Sequence, residues 1–377
     1  MEEKKYSRII FIDLMRAWAV FMMLQGHTID SFLSPQYKGA DSALFGIWNF
    51  MRGFTAPIFM FSAGVAFTYL LKSRPEKFAD NPRVKKGIKR FFTLILLAYF
   101  LRFPTYRIFD YSSVTPEQWA QFFVVDTLHL IAFGLLFVMI FTYLSEKFKI
   151  GHIKMLIAGA AIFVAGQILF EPINWQKFVH PLFAGYLYSG SGSFFPLFPW
   201  VAYVLAGGAL GSLIASDPQK VRDPKFGMKL MIAAALIFAS GKTLEQIKFF
   251  FNWGEPLWVN AIYWIALRIG VVLFLNGFMS FIAHRVENIP KAVKLFGRYS
   301  LVIYVVHIVA LYGDAWFPGF NEFYYQKFGP GLTLVMAVVM IALMGGMVLS
   351  IDYIKYRFKN YKLMPKRQNL EIELSEK

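Results

Sequence analysis

The side chains best suited to chemistry lie in one apolar stretch, residues 13–30, which reads DLMRAWAVFMMLQGHTID. It contains Asp13, Arg16, His27 and Asp30. An imidazole can act as a general base or a nucleophile, and a guanidinium can bind a phosphate group. An ionised side chain in hydrocarbon costs at least about 2.5–3.5 kcal/mol on insertion scales. Four ionisable groups on one apolar segment therefore need a structural or a functional reason.

Helix geometry places these four groups on one stripe. Each residue turns about 100° and rises about 1.5 Å, so Arg16 and His27 differ by about 20° around the axis and lie about 16.5 Å apart along it. Asp13 and Asp30 each lie one turn further out. The stripe must face the protein interior or a hydrated cavity. Two alternatives stay open: Asp13 and Arg16 could form a structural ion pair, and His27 and Asp30 could simply lie at the membrane interface.

Other apolar segments place polar groups at a similar depth, in the middle or outer half. They are Arg52, Arg102, Asp126, His129, Arg268, Asn276, Tyr304 and His307. Each alone could be a snorkelling or paired residue. Their coincidence on several helices favours a shared polar cavity, which would be an active site or a transport site.

The composition indicates an all-α, polytopic integral membrane protein. The 377 residues are 57% hydrophobic and 16% charged, with a mean hydropathy of +0.49, whereas a soluble domain carries roughly 25% charged residues. The absence of cysteine excludes disulfides, thiol nucleophiles and Cys-ligated metals. The six histidines show no metal-binding spacing, so we expect no metal.

We predict about ten membrane-spanning helices. They cover residues 9–29, 46–71, 89–104, 120–144, 153–170, 195–215, 228–250, 258–283, 296–316 and 331–352. Residues 1–359 would form a single transmembrane domain beginning with an uncleaved helix, and 360–377 a charged cytoplasmic tail. The spacing Gly207-x-x-x-Gly211 would permit close helix packing.

The distribution of positive charge predicts the orientation. Of 39 Lys and Arg residues, 29 lie in the six segments that would be cytoplasmic if the N-terminus is inside, and six lie in the five intervening loops. This positive-inside pattern places both termini in the cytoplasm, in a multi-pass protein of the cell (inner) membrane. The net charge of +16 is then a topological signal, so we expect no nucleic-acid partner.

Five blocks in order carry a resemblance to a known family. The pattern Arg16-x10-His27 resembles the motif of the transmembrane acyltransferases. The fuller set resembles the catalytic domain of heparan-α-glucosaminide N-acetyltransferase and its bacterial relatives. The blocks are IDLMRAWAVFMMLQGHTID, TAPIFMFSAGVAF (55–67), DTLHLIAFGLL (126–136), PLFPWVAYVLAGGALG (196–211) and GRYSLVIYVVHIV (297–309).

The resemblance implies transfer of an acetyl or other acyl group from cytosolic acyl-CoA to a glycan or amino-sugar acceptor on the far side of the bilayer. Acetyl-CoA would be a co-substrate, without a metal. We expect His27 to be the general base or an acyl carrier, and Asp30 or Asp126 to orient it. Asn276 or His307 would stabilise the oxyanion.

The cationic groups would bind the co-substrate. They are Arg16, Arg52, Arg102 and Arg268, with Asn276 beside them. The basic segment 72–90 could receive the nucleotide end of CoA, although positive-inside charges need no ligand.

Two other functions remain open. Intramembrane Asp, Arg and His also form proton relays, so the protein could be a proton-coupled transporter or exporter. A non-enzymatic membrane scaffold is the third reading. The acceptor and the oligomeric state, a homodimer included, are left open.

Overall fold

The computed structural model describes residues 10–39, 42–252, 254, 256–286 and 289–375. Over these residues the regular secondary structure is helical, apart from one isolated bridge between Leu33 and Phe328. The α-helices, in chain order, are α1 (Ile10–Phe32), α2 (Ala43–Arg52), α3 (Thr55–Lys72), α4 (Pro82–Leu101), α5 (Pro116–Phe122), α6 (Thr127–Phe148), α7 (His152–Phe170), α8 (Pro181–Leu187), α9 (Leu197–Ser216), α10 (Pro224–Phe250), α11 (Leu257–Arg285), α12 (Lys291–Arg298), α13 (Ser300–Tyr312), α14 (Phe320–Tyr324) and α15 (Pro330–Ser375).

Short polar side chains set where several long helices begin. Asn81 accepts a hydrogen bond from the Arg83 amide at the start of α4, and Asp223 accepts one from the Lys225 amide at the start of α10. In both helices the first residue is proline, whose missing N–H is not needed at that position. Local sequence therefore fixes these boundaries, and they lie in the segments predicted to be cytoplasmic.

Seven of the described helical segments are long and apolar enough to cross a membrane, or eight if the bent pair α12–α13 forms one span. The first and third predicted spans, α1 and α4, contain several charged residues and are not among the seven. The all-helical class is thus confirmed for the described residues, with seven candidate membrane spans, while ten crossings and cytoplasmic termini remain predictions. Helix α15 continues as helix to Ser375, through most of the segment assigned to the tail.

The seventh predicted span, 228–250, contains the charged residues Lys242 and Glu245 in its second half. Helix α10 is continuous over 27 residues and is among the seven. Its Lys242 ammonium lies 2.7 Å from the Glu245 carboxylate, one turn away, and 4.9 Å from the Tyr263 ring centroid. The helix therefore extends through both charged residues, and their pairing lowers the cost of placing them near the membrane.

The ninth predicted span, 296–316, is broken rather than continuous. Helices α12 and α13 meet at Tyr299 with a bend of 77°. Lys291 and Arg298 pair with Asp352 of α15 at 2.8 and 3.8 Å, which holds α12 against that helix. At Gly297 a Cβ atom would approach the Asp13 carbonyl oxygen to 2.9 Å, so α12 also lies directly on α1. These contacts turn the chain before α13 begins.

Helix α1 lies at the centre of the bundle. It contacts α3, α11, α12, α13 and α15. Ala19, Val20 and Leu24 on its apolar side are fully buried. A helix with neighbours on so many sides can direct a polar stripe only at another part of the protein.

Helices α3 and α9 pack backbone to backbone through glycine. A Cβ at Gly207 would overlap the Phe61 carbonyl oxygen, and one at Gly211 would overlap that of Val65. The predicted Gly207-x-x-x-Gly211 contact is therefore present. Gly64 of α3 faces the Val204 carbonyl in the same way, so both helices contribute glycines.

We predict that Gly207→Ala destabilises the protein by about 1–3 kcal/mol, because the new methyl group must push α3 and α9 apart. Gly346→Ala in α15 is the matched control, since nothing lies within 4 Å of its Cβ position. The control should be neutral or slightly stabilising, because alanine is the better helix former. Thermal unfolding in detergent measures both, and equal midpoints would contradict the close contact.

Candidate active site

A large cavity of about 1710 Å³ brings most of the predicted site residues together. Of the nine, seven line it: Arg16, His27, Asp30, Arg52, Arg102, Asp126 and Arg268. They come from α1, α2, α4, α6 and α11 or their ends. Three members of the polar stripe of α1, Arg16, His27 and Asp30, therefore face this cavity, whereas Asp13 is not part of its lining.

The inner end of the cavity, on the predicted cytoplasmic side, is cationic. The Arg16 guanidinium donates a 2.8 Å hydrogen bond to the Ser300 hydroxyl, at the start of α13 beside the break. Arg83, Lys86 and Arg90 on the first turns of α4 also line the cavity. These three belong to the basic segment 72–90, so part of that segment reaches the site.

His27 lies towards the other end, among aromatic and imidazole rings. Its Nδ1 is 3.0 Å from the Tyr312 hydroxyl, and its ring centroid is 5.4 Å from that of His307. Within the described residues, the hydrogen-bond partner of His27 is thus Tyr312 rather than Asp30 or Asp126. Sequence reasoning missed Tyr312, because a tyrosine at the end of an apolar helix resembles an ordinary membrane-interface residue.

His307 is buried beside His27 but does not line the cavity. Its Nδ1 is 2.8 Å from the Ile303 carbonyl oxygen. A carbonyl only accepts, so this nitrogen carries the proton. The neutral ring then presents an unprotonated Nε2, which is buried and without a hydrogen-bond partner among the described residues.

Asp30 is held by cations near the mouth of the cavity. Its carboxylate pairs with Arg52, whose Nη1 donates at 2.9 Å, and its carbonyl oxygen accepts from the Lys38 ammonium at 3.0 Å. Arg52 also lies 5.6 Å from the Trp48 ring centroid. Burial lowers the pKa of Lys38, the Asp30 charge opposes this, and the Arg52 charge adds to it. Asp30 therefore holds Arg52 and Lys38 in place at this end of the cavity.

Asp126 has three partners around the start of α6. As N-cap it accepts from the Leu128 amide at 3.0 Å. It also pairs with Arg102 Nε at 3.2 Å and with His129 Nδ1 at 3.1 Å. The same carboxylate thus begins the helix and holds two neighbouring side chains in place.

Asn276 lies outside the cavity lining. Its side chain is buried, and its Nδ2 donates to the Val272 carbonyl one turn earlier in α11 at 2.7 Å. The sequence could not show which partner Asn276 has, because the side chain of an asparagine on a membrane helix can form a hydrogen bond with its own helix backbone or with another helix.

Among the described residues, no group of three or more His, Cys, Asp or Glu side chains is arranged to hold a metal ion. The donor set that converges on the cavity consists instead of guanidinium, imidazole, hydroxyl and carboxylate groups. Such groups bind anions and move protons.

One comparison with known proteins gives a match. A family model described as heparan-alpha-glucosaminide N-acetyltransferase, catalytic, matches residues 8–246. The matched range contains His27, Arg52, Arg102 and Asp126, while Arg268 and His307 lie beyond it. No curated protein matches the chain.

We predict that Asp126→Ala lowers the free energy of unfolding by about 2–4 kcal/mol, because it removes the cap of α6 and leaves Arg102 without its partner. Asp126→Asn should lower the free energy of unfolding by about half as much, since asparagine retains the capping oxygen. Unfolding in detergent measures both.

The matched control is Asp110→Ala, which removes an exposed partner of Arg107 and should change stability little. Equal losses for Asp126→Ala and Asp126→Asn would show that the cap contributes nothing.

Proposed function

Because the chain belongs to the heparan-α-glucosaminide N-acetyltransferase catalytic-domain family, we propose that it transfers an acetyl or other acyl group from cytosolic acyl-CoA to a glycan or amino-sugar acceptor on the extracytoplasmic side. The observation that carries the proposal is the one cavity lined both by the cationic groups near Arg16 and by His27. A transferase acting across a bilayer needs such a connection, since its two substrates arrive from opposite faces.

The donor occupies the inner end. Acyl-CoA carries phosphates on its nucleotide and a long, thin pantetheine arm. Arg83, Lys86 and Arg90 offer charge-assisted hydrogen bonds to phosphate at the cytoplasmic end of α4. The axial separation of about 16.5 Å between Arg16 and His27 accommodates much of the arm. The thioester then lies near His27.

His27 supplies the proton transfer. The acceptor hydroxyl or amine attacks the thioester carbonyl carbon, and His27 Nε2 takes the acceptor proton. The tetrahedral intermediate collapses with cleavage of the C–S bond, and the imidazolium returns the proton to the departing CoA thiolate. A proton on Nδ1, donated to the Tyr312 oxygen, leaves Nε2 free for this role.

A covalent route uses the same atoms. His27 Nε2 attacks the thioester, CoA leaves, and the acyl-imidazole is transferred to the acceptor in a second step. Trapping an acylated enzyme without acceptor selects this route. Failure to trap it in single-turnover experiments, with transfer intact, selects direct attack.

His307 acts as a proton acceptor rather than as an oxyanion donor. The tautomer imposed by the Ile303 carbonyl leaves no N–H on Nε2 in the neutral ring. Its position beside His27 suits a relay that receives a proton and loses it again. The oxyanion role expected from the sequence would require the opposite tautomer or an imidazolium.

We predict that His27→Ala lowers acyl transfer by about 100- to 10,000-fold, the usual contribution of a positioned base. Membranes are incubated with radiolabelled acetyl-CoA and a panel of amino sugars, and labelled products are counted. His284→Ala is the control, because His284 is exposed at the far end of α11.

Full activity in His27→Ala would exclude His27 from the chemistry. Uptake of solute into proteoliposomes without acyl-CoA, together with no transfer by wild type, would instead favour a transporter.

We also predict that Tyr312→Phe lowers kcat about 10-fold and leaves the KM for acetyl-CoA unchanged. The variant removes the hydroxyl that positions the His27 ring but leaves the cationic inner end intact. Steady-state kinetics at several pH values measure both constants and the apparent titration of His27. A change in KM alone would show that Tyr312 contacts the donor instead.

A further inference from the structure

Arg268 occupies an unusual environment within the helical bundle. It lies eleven residues after the start of α11, about 16.5 Å along that helix. Its guanidinium carbon is 5.1 Å from the Trp200 ring centroid and 5.8 Å from that of Trp264. Two indole faces therefore hold the cation in place.

The charge of Arg268 has no anionic partner in the part of the chain described. No carboxylate there lies within ion-pairing distance of it, whereas Arg52 and Arg102 pair with Asp30 and Asp126. Arginine at membrane depth is costly, and such residues ordinarily pair or serve a ligand. The charge of Arg268 therefore favours the binding of an anionic ligand at this position.

A side pocket of about 210 Å³ adjoins Arg268 between α7 and α11. Its walls are Gln167, Ala261, Trp264, Ile265 and Arg268, and Arg268 lines the large cavity as well. The Gln167 Oε1 atom is buried and has no hydrogen-bond partner among the described residues. The pocket therefore offers a cation and a polar amide oxygen, which suits a ligand with an anionic group and hydroxyls.

This pocket lies at the side of the bundle, towards one end. Trp264 is 45% exposed, so the pocket adjoins the lipid-facing surface. Gln167 is three residues before the end of α7, and Ala261 is four residues after the start of α11. The positive-inside pattern places both of these helix ends on the extracytoplasmic side, which is the acceptor side of the proposed function.

We propose that Arg268 binds the phosphate ester of a lipid-borne acceptor, which enters the cavity sideways from the outer half of the membrane through the pocket between α7 and α11. This proposal rests on the proposed function for the direction of transfer. Guanidinium binds phosphate through two parallel hydrogen bonds. In membrane lipids an anionic phosphate adjoins the apolar tail, so a lateral entrance and a cation without a carboxylate partner fit the same molecule.

The test is a binding measurement that needs no acyl transfer. Dodecyl phosphate is titrated into the purified protein in a neutral maltoside detergent, and its Kd is measured by calorimetry. Inorganic phosphate and glucosamine 1-phosphate are titrated as water-soluble comparison ligands, and dodecanol is titrated as an uncharged one. Because acyl-CoA is absent, failure of the transferase assay does not affect this result.

Four variants isolate the charge and the entrance. Arg268→Gln removes the charge and should weaken dodecyl phosphate binding about 10- to 100-fold, the usual worth of charge-assisted hydrogen bonds. Arg268→Lys retains the charge and should weaken dodecyl phosphate binding less than Arg268→Gln does. Ala261→Trp fills the side pocket and should weaken binding without touching Arg268. Arg285→Gln, exposed at the other end of α11, is the matched control and should bind like wild type.

Equal Kd values for wild type and Arg268→Gln would overturn the proposal, and so would an absence of saturable dodecyl phosphate binding. If inorganic phosphate or glucosamine 1-phosphate binds as tightly as dodecyl phosphate and Ala261→Trp leaves the Kd unchanged, the phosphate lies in the aqueous cavity and the lateral entrance is overturned. Thermal midpoints of all variants are measured first. If Arg268→Gln does not fold, a Kd for Ala261→Trp equal to that of wild type overturns the proposal.

Discussion

The structure depends on one constraint, which is that the charged stripe of α1 cannot face lipid. Each ionised group would cost at least about 2.5–3.5 kcal/mol in hydrocarbon. The bundle meets this constraint by surrounding α1 with other helices and leaving a large cavity along its polar side. Arg16 then bonds to Ser300, and Asp30 pairs with Arg52. The cavity follows from the sequence of one helix, and the other helices supply its remaining walls.

Several side chains serve the fold and the site together. Asp126 begins α6 and holds Arg102 at the cavity wall. Gly297 allows α12 to approach the α1 backbone, and the break that follows places Ser300 beside Arg16. Such double use explains why a substitution at the site is expected to change stability as well as activity. Separating the two effects requires variants that keep one role, as asparagine keeps the cap of α6.

The sequence predicts best what depends on local geometry. The stripe from Arg16 to His27 follows from helix periodicity, and the Asp126–His129 contact follows from i,i+3 spacing. Features that depend on tertiary contacts were missed. Tyr312 reaches His27 only because α13 packs against α1, and Tyr299 breaks the ninth span because Asp352 of α15 holds α12. No periodicity encodes either contact.

Under the proposed function, the arrangement of charges along the cavity bears on how donor and acceptor can meet without either crossing the bilayer. The cations near Arg16 would retain a nucleotide at one end, since moving several phosphate charges through the membrane is prohibitive. Only the uncharged arm then needs to extend towards His27. An acceptor held from the side, at Arg268, would reach the same imidazole without passing the donor. In that scheme the protein moves no substrate across the membrane, and the acyl group alone changes sides.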